Sequence, residues 1–132
     1  MDKGYLYIVD DEESIRNALE RGLRRWAREA GLIIKSFATP KEILDDLEIS
    51  AGSIWLIISD LRMPYMDGLT LLKIINAKYP KIPGILLTGN IDIESIVAMD
   101  NPGVFSVLEK PWEHENLIHI LDKAIKYRLE QN

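Results

Sequence analysis

The sequence predicts an α/β fold: a parallel sheet of five strands with helices packed on both faces. Three observations predict it. Five short apolar runs carry little polar alternation, the pattern of strands buried on both sides. Five other stretches place apolar residues at three- and four-residue spacing, the mark of amphipathic helices. Runs and stretches alternate along the whole chain, and that alternation implies parallel strands joined by right-handed crossovers.

The first run is Tyr5–Val9. From Glu13 to Ala30, the residues Ile15, Leu19, Leu23, Trp26, Ala27 and Ala30 recur on one helical face. The second run is Leu32–Phe37. "TPKE" at Thr39–Glu42 reads as a capping box with proline in the first helical position, and the helix after it presents Ile43, Leu44 and Leu47. The third run is Ile54–Ser59. Leu69, Leu72 and Ile75, with Leu71 and Ile74 beside them, mark the third helix, which must end before Pro80. The fourth run is Gly84–Thr88. Ile93, Ile96 and Val97 mark a short helix stopped by "NPG" at Asn101–Gly103. The fifth run, Val104–Leu108, precedes a last helix marked by Leu117, Ile120, Leu121, Ala124 and Ile125.

Composition bounds the rest. The chain of 132 residues fits one domain over 1–132, with a core of about residues 4–129. Its final helix is of a kind that can continue into a longer parent protein. Hydrophobic residues are 47% and charged residues 28%, an ordinary globular balance. A net charge of −5 argues against direct nucleic-acid or membrane-surface binding. There is no cysteine, which excludes disulfides, thiolate zinc sites and cysteine nucleophiles and suits a reducing compartment. The N-terminus has too short an apolar run for a signal peptide, and no run approaches the ~20 residues of a membrane span. The expected location is the cytoplasm.

The strand ends carry the chemistry. The first run ends in Asp10 and Asp11, the third in Asp60 and the fourth in Thr88; Lys110 lies just past the fifth. Parallel strands point one way, so these residues meet at one sheet edge, where such folds bind ligands. Each alone has an ordinary role: a helix cap, a solvated lysine, a strand-end threonine. Together they form a set. Three carboxylates without a thiol or nearby histidine suit a hard cation such as Mg²⁺, which takes oxygen ligands. A lysine and a hydroxyl opposite them complete a phosphoryl site, with a carboxylate as nucleophile.

Four segments, "VDDEESIRNAL", "ISDLRMPYMDGLTLL", "LLTGN" and "GVFSVLEKPW", resemble the receiver domains of two-component response regulators. The resemblance runs from about Tyr5 to the last helix. It implies a flavodoxin-like doubly wound (βα)5 sandwich with strand order 2-1-3-4-5. It implies that Asp60 is the phosphoacceptor, fed by a histidine kinase or phosphotransfer protein. Asp10, Asp11, Asp60 and the backbone carbonyl of Arg62 would hold Mg²⁺, Asp11 more directly than Asp10. Lys110 would pair with Asp60 and then with the phosphoryl group, and Thr88 would bond a phosphoryl oxygen. The Lys110–Pro111 bond would be cis, and Met63, Pro64 and Gly68 match the family's loop after the acceptor. The implied function is a phosphorylation-dependent switch acting on a partner or output domain, with a phosphorylation-dependent homodimer as one form. The resemblance implies a switch and not a conventional enzyme, one that would promote its own phosphorylation and dephosphorylation.

Two departures stand out. The family often has Tyr or Phe three residues before the lysine; here Val107 holds that switch position. Arg62 and Asn90 occupy positions that in the family tune the phosphoryl lifetime. Two other readings compete. An Mg²⁺-dependent phosphohydrolase would need a substrate pocket and a general acid, and the second residue after Asp60 is Arg62. A degenerate receiver used only for protein contacts would not need the complete acid, threonine and lysine set. His114 and His119 read as surface helix residues, Trp26 as core, Trp112 as core or interface, and Arg24–Arg28 as a solvated basic run.

Overall fold

The computed structural model describes residues 4–131. The outermost residues of the expected 1–132 span lie outside the described ones. The chain alternates β1 (Gly4–Val9), α1 (Glu13–Ala30), β2 (Leu32–Phe37), α2 (Pro40–Ser50), β3 (Ile54–Asp60), α3 (Gly68–Lys78), β4 (Gly84–Thr88), α4 (Ile93–Ala98), β5 (Val104–Glu109) and α5 (His114–Glu130). A single 3₁₀ turn, Ala51–Ser53, leads into β3. All strand pairs are parallel and the order is β2-β1-β3-β4-β5, the arrangement the resemblance implied.

Alternation along β1 splits the core in two. Leu6 and Ile8 face α1 and α5, packing with Leu19, Leu23, Leu117 and Leu121. Tyr7 and Val9 face the other side, with Ile43, Leu47, Leu71, Leu72 and Ile75. Successive side chains of a strand point to opposite faces, so one strand serves both layers.

Local sequence sets the helix ends. Gly31 takes a left-handed φ of 77° and returns its N–H to the carbonyls of Ala27 and Arg28, closing α1. The Thr39 hydroxyl accepts the Glu42 N–H at 3.2 Å, as the capping reading required. Asp67 caps α3 through the Thr70 N–H at 2.7 Å. Trp26 is half-buried against the core and donates Nε1–H to Asp122 at 2.8 Å, tying α1 to α5.

α4 corrects the sequence reading. The helix forms where expected, but Ile93, Ile96 and Val97 do not face the core; they are 80%, 54% and 56% exposed. The buried positions are Ser95 and Ala98. Apolar spacing located the helix and misjudged its orientation.

Candidate functional site

β1 delivers Asp10 into a fully buried position at the carboxyl edge of the sheet. Its N–H continues the β1–β2 ladder to the Phe37 carbonyl at 3.1 Å. Its Oδ1 accepts the Glu12 N–H at 2.8 Å, and its carbonyl accepts Arg16 Nη1 at 2.7 Å. Asp11, next along, is exposed. Asp60, the last residue of β3, is buried beside them. Asp10, Asp11 and Asp60 each offer a carboxylate oxygen, and these atoms lie within 4.8 Å of one another.

Lys110 brings the counter-charge. Its N–H bonds the Thr88 carbonyl at 2.7 Å, which anchors the end of β5 against β4. Its Nζ lies 3.0 Å from Asp60 Oδ1 and 3.6 Å from Asp10 Oδ2. The Lys110–Pro111 bond is cis, as the resemblance implied. Burial raises the pKa of both Asp10 and Asp60 above the ordinary carboxylate value; the Glu12 N–H counteracts this at Asp10, and the Lys110 hydrogen bond at Asp60. For Lys110, burial works against the charge, but the Asp60 hydrogen bond and the charges of Asp60 and Asp10 outweigh it and raise its pKa.

This cluster fits a hard cation. Asp10 Oδ2 is a buried carboxylate oxygen that takes no hydrogen bond. Lys110 Nζ, at 3.6 Å, pairs with it through charge alone, and a buried oxygen that takes no hydrogen bond is costly. The donor set is all oxygen, which suits a divalent cation that keeps part of its water shell.

The loops around the cluster are shaped for close approach. A Cβ on Gly68 would stand 2.2 Å from the Asp60 carbonyl oxygen and 2.8 Å from Ser59 Oγ, so only glycine lets α3 start this close to β3. Thr88 is buried at the end of β4, and its hydroxyl donates to the Asn90 carbonyl at 2.9 Å. Val107, half-buried on β5, sits opposite Leu86 of β4 and packs into the α2/α3 side of the core.

The structure therefore gathers Asp10, Asp11, Asp60 and Lys110 at one edge, with Thr88 on the adjacent strand end. His114 and His119 are exposed on α5, outside this cluster. Four residues escaped the sequence reading. Arg16 holds the Asp10 carbonyl, with nothing in its spacing to single it out. Asp92 caps α4 through the Ser95 N–H at 3.0 Å and pairs with Arg62 at 3.7 Å. That N–H, ahead of burial, holds the Asp92 carboxyl below its ordinary pKa. Asp ahead of the apolar spacing of α4 was a readable cap signal. Ser95 is buried behind it. Tyr65 is fully exposed in the loop after Asp60 with φ 72°, a conformation side chains seldom adopt.

Comparison with known proteins converges on one family. The family described as response regulator receiver domain matches residues 6–122. The DNA-binding transcriptional regulator NtrC of Klebsiella pneumoniae is 38% identical over 131 residues, 99% of this chain and 27% of that protein. The transcriptional regulatory protein FixJ of Bradyrhizobium diazoefficiens is 33% identical over 125 residues, 94% of this chain and 58% of that protein. The chain thus spans about a quarter of the NtrC relative's length and somewhat over half of FixJ. Among solved structures, the signal receiver domain of an HD domain-containing protein from Pseudomonas fluorescens Pf-5 superposes with a TM-score of 0.86 at 28% identity, covering 98% of this chain and 99% of that one. No helix among the described residues is long and apolar enough to cross a membrane. The chain belongs to the receiver domains of two-component response regulators.

Proposed function

We propose that Asp60 is the phosphoacceptor and that the chain is one receiver unit, with a core of about residues 4–129, switched by phosphoryl transfer from a histidine kinase or phosphotransfer protein. One observation carries the reading: three carboxylates at one sheet edge share their space with a partly exposed ammonium 3.0 Å from Asp60 Oδ1. A carboxylate oxygen of Asp60 attacks phosphorus as the bond from phosphorus to the donor imidazole nitrogen breaks. The imidazole keeps that electron pair, and Asp60 becomes an acyl phosphate. Lys110 then moves its ammonium from the lost carboxylate charge to a phosphoryl oxygen. Thr88 turns its hydroxyl from Asn90 to another. The work is positioning and charge stabilisation.

Asp10, Asp11, Asp60 and the Arg62 carbonyl would hold Mg²⁺, with Asp11 the more direct ligand. When bound, Mg²⁺ neutralises phosphoryl oxygens as charge shifts in the transfer. Arg62 and Asn90 stand two residues after Asp60 and Thr88, the positions that in the family tune the phosphoryl lifetime. With a valine at 107 there is no aromatic ring to follow Thr88, and χ1 is stiff. The change therefore leaves through Thr88 and the loop into α4. An output domain or partner protein reads it, without direct contact from this unit to nucleic acid or membrane. The cysteine-free sequence fits a cytoplasmic setting.

The test is intact mass after acetyl phosphate and Mg²⁺. The wild-type chain gains one phosphoryl group and Asp60→Asn gains none. Label that persists in Asp60→Asn would move the acceptor elsewhere. Size exclusion of the same samples reads whether the phosphorylated form is a homodimer.

A further inference from the structure

Thr88 does not hold the Asn90 carbonyl alone. Ser95, on α4, is fully buried, and its hydroxyl has two acceptors at almost equal range: the Asn90 carbonyl at 3.2 Å and Asp92 Oδ1 at 3.1 Å. The Thr88 hydroxyl is at 2.9 Å from the same Asn90 carbonyl. Each hydroxyl has one proton to give, whereas a carbonyl oxygen can accept two. While Thr88 donates to Asn90, the Ser95 proton is free to serve Asp92. Asp92 does not depend on it, since it also accepts the Ser95 N–H at 3.0 Å and pairs with Arg62 at 3.7 Å.

We propose that Ser95 is a positioning residue for the phosphoryl switch: its hydroxyl takes over the Asn90 carbonyl when Thr88 turns to a phosphoryl oxygen. This rests on the reading of Asp60 as the phosphoryl site. Without Ser95, Thr88 would leave that carbonyl without a protein donor, and the turn would be opposed. With Ser95, the donor is replaced from inside α4. The replacement leaves the Asp92 cap in place through the Ser95 N–H, and ties the Asn90 carbonyl to the first turn of α4. The hydroxyl of Ser95 thus links the state of Thr88 to the seat of α4.

A double-mutant cycle tests it, with the phosphoryl analogue beryllofluoride and Mg²⁺ titrated by amide NMR into wild type, Ser95→Ala, Thr88→Ala and the double variant. With Thr88 present, Ser95→Ala should weaken beryllofluoride binding by about fivefold to tenfold, the worth of one hydrogen bond. In the Thr88→Ala background the same substitution should change nothing, because no hydroxyl leaves Asn90. Equal losses in both backgrounds would make Ser95 a packing residue only, and no loss in either would remove it from the switch; each overturns the inference. Should Ser95→Ala fail to fold, Ser95→Cys, similar in size and a weak donor, carries the same cycle. Wild type that does not bind beryllofluoride at all would overturn the Asp60 reading and this inference with it. Binding without the Thr88-dependent loss overturns this inference alone.

Discussion

The α1/α5 face and the α4 side of the molecule are built to different standards. α1 and α5 run 18 and 17 residues, bury Leu19, Leu23, Leu117 and Leu121, and are pinned to each other by the Trp26–Asp122 bond. α4 runs six residues, buries Ser95 and Ala98, and leaves Ile93, Ile96 and Val97 in solvent. One side is fixed by apolar area, which is indifferent to what occupies the strand edge. The other has little buried area and shares the Asn90 carbonyl with Thr88 through Ser95, so on the proposed reading its position follows what that edge binds. Segments that move in switching come from the less stable end of a fold.

The largest effect that can break this contrast is cavity formation. Leu23→Ala and Leu121→Ala should each cost roughly 2–5 kcal/mol in urea unfolding, while Ile93→Ala and Ile96→Ala should stay within about 0.5 kcal/mol. Comparable losses on both sides would mean that α4 packs as α1 does. Next comes hydrogen exchange. Amides of α4 should exchange well before those of α1 and α5 in the free chain, and slow when Mg²⁺ and beryllofluoride are added; uniform protection would remove the distinction.

A smaller effect separates the acid cluster from the core beneath it. Asp10 and Asp60 have pKa values raised by burial above the 3.8 of the free side chain, so the fold binds more protons than the unfolded chain across the interval between the two values. Stability of the metal-free chain should therefore fall as pH rises from about 4 through that interval. Lys110 acts at the other end: its pKa is raised from 10.5, so its contribution is complete below that value and is lost only as pH climbs through the raised one. In chelator at pH 7, Asp10→Asn should raise Tm by a few degrees and flatten the acid-side slope, and added Mg²⁺ should stabilise wild type more than the variant. A lower Tm for Asp10→Asn would mean that the Lys110 pairing outweighs burial. The smallest effect is at Tyr65, whose left-handed backbone has a side chain open to solvent. Tyr65→Gly should gain about 1 kcal/mol in thermal unfolding without touching the core; a loss would show that the ring has a partner.

What could be read in the sequence divides along the same line. The strands, their order of appearance and the converging Asp10, Asp11, Asp60, Thr88 and Lys110 were legible, because strand-end position fixes their direction. Strand limits differed by one residue, at Gly4, Asp60 and Glu109. The outward face of α4 was not legible, since Ile93, Ile96 and Val97 carry the same spacing whether they meet a core or solvent. Nor were the roles of Arg16, Arg62 and Ser95 as hydrogen-bond and ion partners. Those depend on loop paths that bring residues from different strand ends together, and no local pattern encodes such a path.

The strand order has a consequence during synthesis. β1, β2 and β3 are neighbours in the sheet, so they can pair once the chain has emerged as far as Asp60. Asp10, Asp11 and Asp60 then stand together while Lys110 is still unmade. The growing chain brings these like charges together first and receives the Lys110 ammonium only with the fifth strand. Until then, only solvent and dissolved cations can screen that half-built edge.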